Sequence, residues 1–172
     1  ELMRNYLDKD HAFRHKMINP KMQALIDDNL GPLPIKLPDG TIMGYEVIAL
    51  SGWRNFTALF NFENVKAGKV FQDDIDDSYI WTYGCGWGTD TSCLDLGSVS
   101  DFVNNAPKTV FTGFYGSWFG DWNTKNNFLR SALASSGWIL TSCWAGRPHY
   151  VFHQMGMGET IGSCIQRTQN NY

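Results

Sequence analysis

The sequence predicts an α/β domain with a small, mainly parallel sheet, and two apolar runs carry that prediction. Residues 79–88 and 109–121 contain runs too short for buried helices, are rich in β-branched and aromatic residues, and pass into glycines at their ends. Both runs are apolar on both faces, as strands covered by helices on two sides are. Helical patterns alternate with them, which indicates a layered arrangement with right-handed crossovers.

The part of the chain before the first run is predicted to be mainly helical. Apolar spacing indicates a helix over residues 2–16, and Asn19-Pro20 should begin a second helix that ends at Gly31. A loop follows to residue 44, then a short strand over residues 45–50. The glycine-containing residues after it are predicted to form a loop.

The later elements follow from caps and apolar spacing. Ser98 or Ser100 should cap a short helix, residues 123–135 form a helix, residues 138–144 a third buried strand, and residues 148–157 a last helix. The acidic run that precedes the first core strand lacks the glycine and the distal glutamate of an EF-hand, so we interpret it as a solvated turn.

The chain is interpreted as one domain of 172 residues. It divides into a helical N-terminal segment (1–44), a region of sheet and helices (45–165) and a polar tail that is expected to fray (166–172). The predicted sheet is small, which suggests that this is only part of a full domain. The four cysteines leave their pairing open, and free buried thiols are one interpretation for Cys85 and Cys143.

Composition excludes some functions and favours others. The net charge of −3 gives no electrostatic reason to expect nucleic acid or an anionic membrane. No apolar run approaches the roughly 20 residues that span a bilayer. Aromatic residues make up 15% of the chain, and many lie near glycine-rich loops, where rings often face a ligand or partner. We expect a peptide, protein or glycan surface as partner and no cofactor.

Candidate site residues cluster after the two core runs. The tryptophans in loop-like positions are Trp87, Trp118, Trp122 and Trp144. Asp121 follows the second run and Glu159 is the obvious second carboxylate for acid-base chemistry. Ser117 does not stand in a nucleophile elbow, because the first glycine directly precedes it, and it is counted with the ligand-binding candidates.

A second group of candidates lies near the end of the chain. His149 and His153 are spaced to share one face of a helix, and Glu159 with Cys85 or Cys143 would complete a metal site if the strand ends converge. Packing and helix-start roles are favoured for these histidines, so we predict no metal. Arg147 lies at a predicted strand-to-helix junction, where it would either bind an anion or pair with a carboxylate.

The two core runs resemble the caspase-like cysteine peptidases, and within them the gingipain-type family with its secreted bacterial relatives. Residues 79–86 and 110–121 are similar to the two strands that end in the catalytic histidine and the cysteine nucleophile of that family. Segments around Phe119-Gly-Asp-Trp, Cys143-Trp-Ala-Gly-Arg-Pro-His149 and Gly158-Glu-Thr-Ile-Gly162 are similar to uncharacterised secreted proteins of the same group. The resemblance implies a three-layer, caspase-like fold and a secreted or cell-surface location.

The chain departs from that family at the catalytic positions. Cys85 stands where the family has histidine, and Tyr115 or Gly116 stands where it has the nucleophile. A thiol needs an imidazole to activate it, so the mechanism does not carry over. We therefore expect a non-catalytic module or an unassigned hydrolase; the alternatives are a glycan-binding or glycan-cleaving domain that uses the loop tryptophans with Asp121 and Glu159, and a Cys/His metal-binding domain.

Overall fold

The structure, a computed structural model, describes residues 1–145 and 149–170. Its helices are α1 (Leu2–Arg14), α2 (Leu50–Phe60), α3 (Asp73–Asp76), α4 (Val99–Asn104), α5 (Phe128–Ala134) and α6 (Ile161–Asn170). Its strands are β1 (Ala24–Asp28), β2 (Pro32–Lys36), β3 (Ile42–Val47), β4 (Val65–Ala67), β5 (Tyr79–Cys85), β6 (Ser92–Cys93), β7 (Gly97–Ser98), β8 (Thr109–Tyr115) and β9 (Thr141–Trp144). Two short 3₁₀ helices cover Phe62–Asn64 and His153–Met157.

Five strands form one sheet in the order β4-β1-β5-β8-β9, and every neighbouring pair is parallel. The prediction that the three apolar runs form adjacent parallel strands is confirmed by β5, β8 and β9. Two antiparallel hairpins, β2-β3 and β6-β7, lie in the connections that follow β1 and β5. The architecture is α/β, as the sequence predicted.

Buried side chains cover both faces of the sheet and give the fold three layers. On the face called here the α2 face, Trp81 of β5 packs against Phe56 of α2 with the rings 5.3 Å apart. On the opposite face, the α4 face, Phe114 of β8 packs against Phe102 of α4 and Phe128 of α5. The sheet is apolar on both sides because each side meets helices.

The predicted helix over residues 19–31 is wrong, because strand β1 occupies its centre. Ala24, Leu25 and Ile26 are buried and pair with β4 on one side and β5 on the other. In a short run that is apolar on both faces, the spacing of the apolar residues does not distinguish a strand from a helix. The tertiary packing therefore determines that this run is a strand. The N-terminal segment is therefore not purely helical.

Two helices form where the sequence predicted a loop and a frayed tail, so those predictions are wrong. Helix α2 covers residues predicted to be a loop and an ambiguous run, and Gly52 in it lies against Tyr83, where an added β-carbon would be 3.1 Å from the tyrosine ring. Helix α6 reaches into the predicted frayed tail, and it stays in place because Cys164 and Thr168 are buried one turn apart.

Strand β2 lies within residues 32–44, which were predicted to be loop, and β4, α3 and the β6-β7 hairpin were not predicted. The remaining elements match their predictions in kind and differ in length. Helix α1 is present, and α4 begins at Ser98, one of the two predicted caps, which forms a capping box with Asp101. Helix α5 begins at Phe128, later than predicted, with Asn127 as its N-cap. In the described part of the predicted last helix, only the 3₁₀ helix over His153–Met157 is formed.

Candidate functional site

The carboxyl ends of β1 and β5 lie side by side at the topological switch point of the sheet, where the strands that follow each of them are added in opposite directions. The chain after β1 continues outward to β4, whereas the chain after β5 continues outward to β8. In open parallel sheets, ligands bind in the crevice that such a reversal opens at the carboxyl ends. This edge of the sheet is therefore the first place to look for a site.

At the reversal point, the protein's own side chains satisfy a buried carboxylate. Asp27 is buried, and its Oδ1 accepts from Lys69 Nζ at 3.0 Å and from Asn29 Nδ2 at 2.9 Å. Its Oδ2 accepts from the amide of Val70 at 2.9 Å. Each oxygen has a partner, so this network ties β1 to the segment after β4. The sequence prediction missed Asp27 and Lys69, because it placed β1 in a helix.

Cys85 ends β5 as a buried thiol beside that network. Its Sγ donates to Asp28 Oδ1 at 3.1 Å, and the amide of Asn29 donates to its carbonyl at 2.9 Å. Burial raises the pKa of the Cys85 thiol far above its usual value, and the hydrogen bond to Asp28 raises it further. The thiol is therefore neutral at physiological pH and is a poor nucleophile.

The two positions matched to the peptidase dyad are neighbours in the sheet. Cys85 of β5 and Tyr115 of β8 are register partners, and the amide of Gly86 donates to the carbonyl of Tyr115 at 3.1 Å. The structure thus brings these two strand ends together. A phenol at the nucleophile position and a thiol at the base position cannot form a Cys-His dyad.

Beyond Cys85, the loop that leads to α4 forms one wall of a cavity of about 750 Å³, here called the edge cleft. Its floor is apolar and includes Phe71 and Leu96, which belong to the core on the α4 face. Trp87 stands on its wall with 61% of its surface exposed. Its polar lining comes from several segments: Gln72, Thr89, Ser92, Asp95, Asp101 and Asn105.

A second cavity of about 320 Å³, here called the Trp118 pocket, adjoins the edge cleft because Thr89 lines both. Its other lining residues are Asp90, Trp118 and Asp121. Trp118 is 65% exposed and has a positive φ of 66°. That conformation is uncommon for a bulky residue and is maintained only where the surroundings enforce it.

The loops that carry Trp87 and Trp118 are in direct contact. A β-carbon at Gly88 would lie 2.7 Å from both the amide nitrogen and the carbonyl oxygen of Ser117. Gly88 therefore allows the two loops to approach to backbone contact. Ser117 therefore contributes to the site through this backbone contact, which joins the Trp87 loop to the Trp118 loop.

We expect Gly88→Ala to lower the free energy of unfolding by about 1–3 kcal/mol, because the added methyl meets backbone that cannot rotate away. Gly44→Ala is the matched control, since a β-carbon there meets nothing within 4 Å and the backbone φ is not positive. Urea unfolding of both variants measures the difference. Equal stabilities would show that the two loops are not packed as described.

The remaining edge tryptophans lie outside both cavities. Trp144 packs on Gly120, where a β-carbon would lie 2.7 Å from the indole ring. Trp122 is half exposed, and its carbonyl accepts from Arg130 Nη1 at 2.7 Å. Arg130 also donates to two further carbonyls of that loop, which fixes its path.

His149 lies in a separate cavity of about 410 Å³ between the β2-β3 hairpin, α2 and residues 149–153. Its Nε2 is 3.4 Å from Glu46 Oε1. His153 lines the same cavity, but the two histidines do not share a helix, which corrects the predicted geometry. This cavity is lined by Tyr150, which packs against the α2-face core, and it shares no lining residue with the edge cleft, so the structure separates His149 from that cleft.

The other predicted candidates that the structure describes line neither the edge cleft nor the Trp118 pocket. Cys143 in β9 donates to the carbonyl of Thr112 at 3.4 Å, and burial raises its pKa to about 12. Glu159 precedes α6 and is 3.4 Å from Arg167. Arg147 lies outside the described residues. Among those residues, no group of three Cys, His, Asp or Glu side chains is placed to hold a metal ion, and no disulfide forms among the cysteines.

Sequence reasoning found both cavity tryptophans and Asp121, but it missed the polar side chains that face them. Asp90 and Asp95 follow the Gly-Trp-Gly sequence closely, and this acidic content of the loop was the available signal. Gln72 and Asn105 come from distant segments, and only the fold places them at the cleft.

Within the described residues, no helix has the length and apolar character needed to cross a membrane. Comparison of the chain with protein-family models, with curated proteins and with solved structures finds no match in any of the three.

Proposed function

We propose that this protein is a caspase-like, gingipain-type domain without Cys-His catalysis, which acts at a secreted or cell-surface location as a binding module. The parallel strand order supports the three-layer α/β architecture that the proposal requires, and Cys85 and Tyr115 are adjacent at its carboxyl edge. The family name and the location rest on the similarity of the two strand ends. The binding surface is the edge of the sheet that carries the edge cleft and the Trp118 pocket.

One observation carries the non-catalytic part of the proposal. The thiol at the matched catalytic strand end is fully buried and donates to a carboxylate, Asp28, rather than to an imidazole. A carboxylate partner disfavours the thiolate, whereas an imidazolium would stabilise it. His149 does not supply that imidazole, because it lies in a separate cavity with its Nε2 3.4 Å from Glu46 Oε1.

We expect iodoacetamide to alkylate Cys85 in the folded protein at pH 7 at least about 100-fold more slowly than a free cysteine, because each unit of raised pKa lowers the thiolate fraction about tenfold. Mass spectrometry of peptides after timed labelling measures the rate, and labelling in urea shows that the same thiol reacts once exposed. Rapid labelling, together with peptide cleavage that Cys85→Ala abolishes, would show that a working dyad exists.

A second candidate function, glycan binding at the same edge, is favoured by the exposure of Trp87 and Trp118 beside cavities. Glycan cleavage receives less support. Asp121 lines the Trp118 pocket, whereas Glu159 is paired with Arg167 at the start of α6 and lines neither cavity. A pair of carboxylates flanking one bond is the usual requirement for glycoside hydrolysis.

A further inference from the structure

We infer that the edge cleft and the Trp118 pocket form one groove that binds a neutral oligosaccharide, with one sugar ring on Trp87 and another on Trp118. The inference rests on the proposed function as a binding module and names its ligand. The two cavities adjoin at Thr89, and their combined volume of about 1,070 Å³, from 750 and 320 Å³, exceeds what a single sugar needs. A chain of sugars fits an elongated groove of this kind.

The aromatic platforms are the first argument. Both indole side chains are more than half exposed, and each stands on the wall of a cavity. An exposed large aromatic side chain costs free energy in water unless a ligand or partner covers it. Trp118 also occupies a backbone conformation with positive φ that bulky residues rarely adopt. The contact between Gly88 and Ser117 packs the backbones of the two loops that carry these rings against each other before a ligand arrives.

The polar lining is the second argument. Gln72 and Asp95 in the edge cleft are exposed, and their side chains make no hydrogen bond with the described residues. Asp90 and Asp121 in the Trp118 pocket likewise make no side-chain hydrogen bond with the described residues, although Asp90 is half-buried and only Asp121 is exposed. Carboxylates accept from hydroxyl groups, and an amide both donates and accepts. A flat apolar ring flanked by such groups matches a sugar, which has an apolar C–H face and a hydroxyl rim.

Charge selects among the possible sugars. No lysine, arginine or histidine lines either cavity in the part of the chain that the structure describes. Uronic acids, sulfated sugars and phosphates would therefore meet carboxylates without a compensating cation, which is unfavourable. A lysine side chain would suit Trp87 and Asp95, but it would leave the amide of Gln72 without a role. The lining as a whole favours neutral hydroxylated ligands.

The test is isothermal titration calorimetry of the full chain with neutral hexasaccharides, namely cellohexaose, xylohexaose and mannohexaose. We expect at least one to bind, and its disaccharide to bind at least 10-fold more weakly because it covers one platform. Trp87→Ala and Trp118→Ala should each weaken binding at least 10-fold. Trp122→Ala is the control, since this tryptophan is 51% exposed on the same edge but lines neither cavity. The affinity of this variant for the hexasaccharide should equal that of wild type.

Three outcomes would overturn the inference. One is that none of the three hexasaccharides binds at millimolar concentration, and another is binding that neither tryptophan substitution weakens. The third is tighter binding of an oligogalacturonate or of a lysine-rich peptide at the same groove. A peptide ligand lost in Trp87→Ala would leave the proposed binding module intact, whereas Cys85-dependent peptide cleavage would remove that proposal whatever the sugars do.

Discussion

The free energy of unfolding should fall by about 4 kcal/mol as the pH rises from about 4 to about 7, because of one buried carboxyl group, Asp74. Asp74→Asn should abolish most of that fall and should make the protein more stable than wild type at pH 8. Among the described residues, no other buried carboxyl group has a pKa shift as large as that of Asp74.

The physical cause is burial without a compensating charge. Asp74 is only 1% exposed; its Oδ1 accepts from the amide of Phe71 at 2.8 Å, and its Oδ2 has no hydrogen-bond partner among the described residues. Burial raises its pKa from 3.8 to about 7, and the nearby carboxylates Asp73 and Asp27 add to the rise. The prediction of a wholly solvated acidic turn is therefore wrong at this residue.

The sign follows from proton binding. Below pH 4, both the folded and the unfolded chain hold the proton, and Asp74 has no effect on stability. Between about pH 4 and pH 7, the unfolded chain loses the proton while the folded chain keeps it, so stability falls as pH rises. Above pH 7 both are ionised and the full penalty remains. Three pKa units at about 1.4 kcal/mol each give the expected magnitude.

Urea unfolding at pH 4, 6 and 8 measures the effect. Asparagine has the shape of the neutral acid and keeps an oxygen for the Phe71 amide, so the substitution changes mainly the charge. Asp76→Asn is the matched control, because it alters an exposed carboxylate of the same short helix. If wild type and Asp74→Asn show the same pH dependence, the carboxyl group is not buried as described.

The sequence predicted the centre of the fold because that part is locally consistent. The runs in β5 and β8 are long, rich in β-branched and aromatic residues, and bounded by glycine, so local preference and tertiary position agree. The cap of α4 is also a local signal, in which Ser98 and Asp101 satisfy each other's backbone. Features of this kind need no knowledge of distant contacts.

Strand β1 shows why the rest could not be predicted. Its apolar residues also fit the face of a helix, and the preceding Asn19-Pro20 looks like a helix start. These residues form a strand because β1 pairs with β4 on one side and with β5 on the other, and those two strands are close to β1 only in the fold. The reversal point of the sheet follows from this strand, so the buried Asp27 network was missed together with it.

The candidate site divides in the same way. Trp87, Trp118 and Asp121 were found from their positions after core strands. Their separation from His149 and Glu159 depends on which face each loop joins, and spacing along the chain carries no such information. The contact between Gly88 and Ser117, which brings the loops of the two tryptophans together, likewise exists only in the fold.

Trp81→Ala should lower the free energy of unfolding by about 3–5 kcal/mol, because it removes the largest fully buried side chain and leaves a cavity. The indole of Trp81 lies among three phenylalanine rings, with centroid distances of 5.3 Å to Phe56, 5.3 Å to Phe111 and 4.6 Å to Phe152. This cluster joins the centre of the sheet to α2, so the loss reaches several elements.

Trp81→Phe should cost much less, about 1–2 kcal/mol, because a ring still fills most of the space. The indole Nε1 of Trp81 is buried and has no hydrogen-bond acceptor among the described residues, so removing it relieves an unmet polar group. Urea unfolding of both variants gives the two values, and an alanine variant that loses less stability than the phenylalanine variant would contradict the packing.

Because Trp81 lies on the α2 face and the edge cleft adjoins the α4-face core, sugar affinity measured well below the unfolding midpoint should be the same in Trp81→Phe and in wild type. A loss of affinity in Trp81→Phe would mean that the groove depends on packing across the sheet rather than on its own two loops.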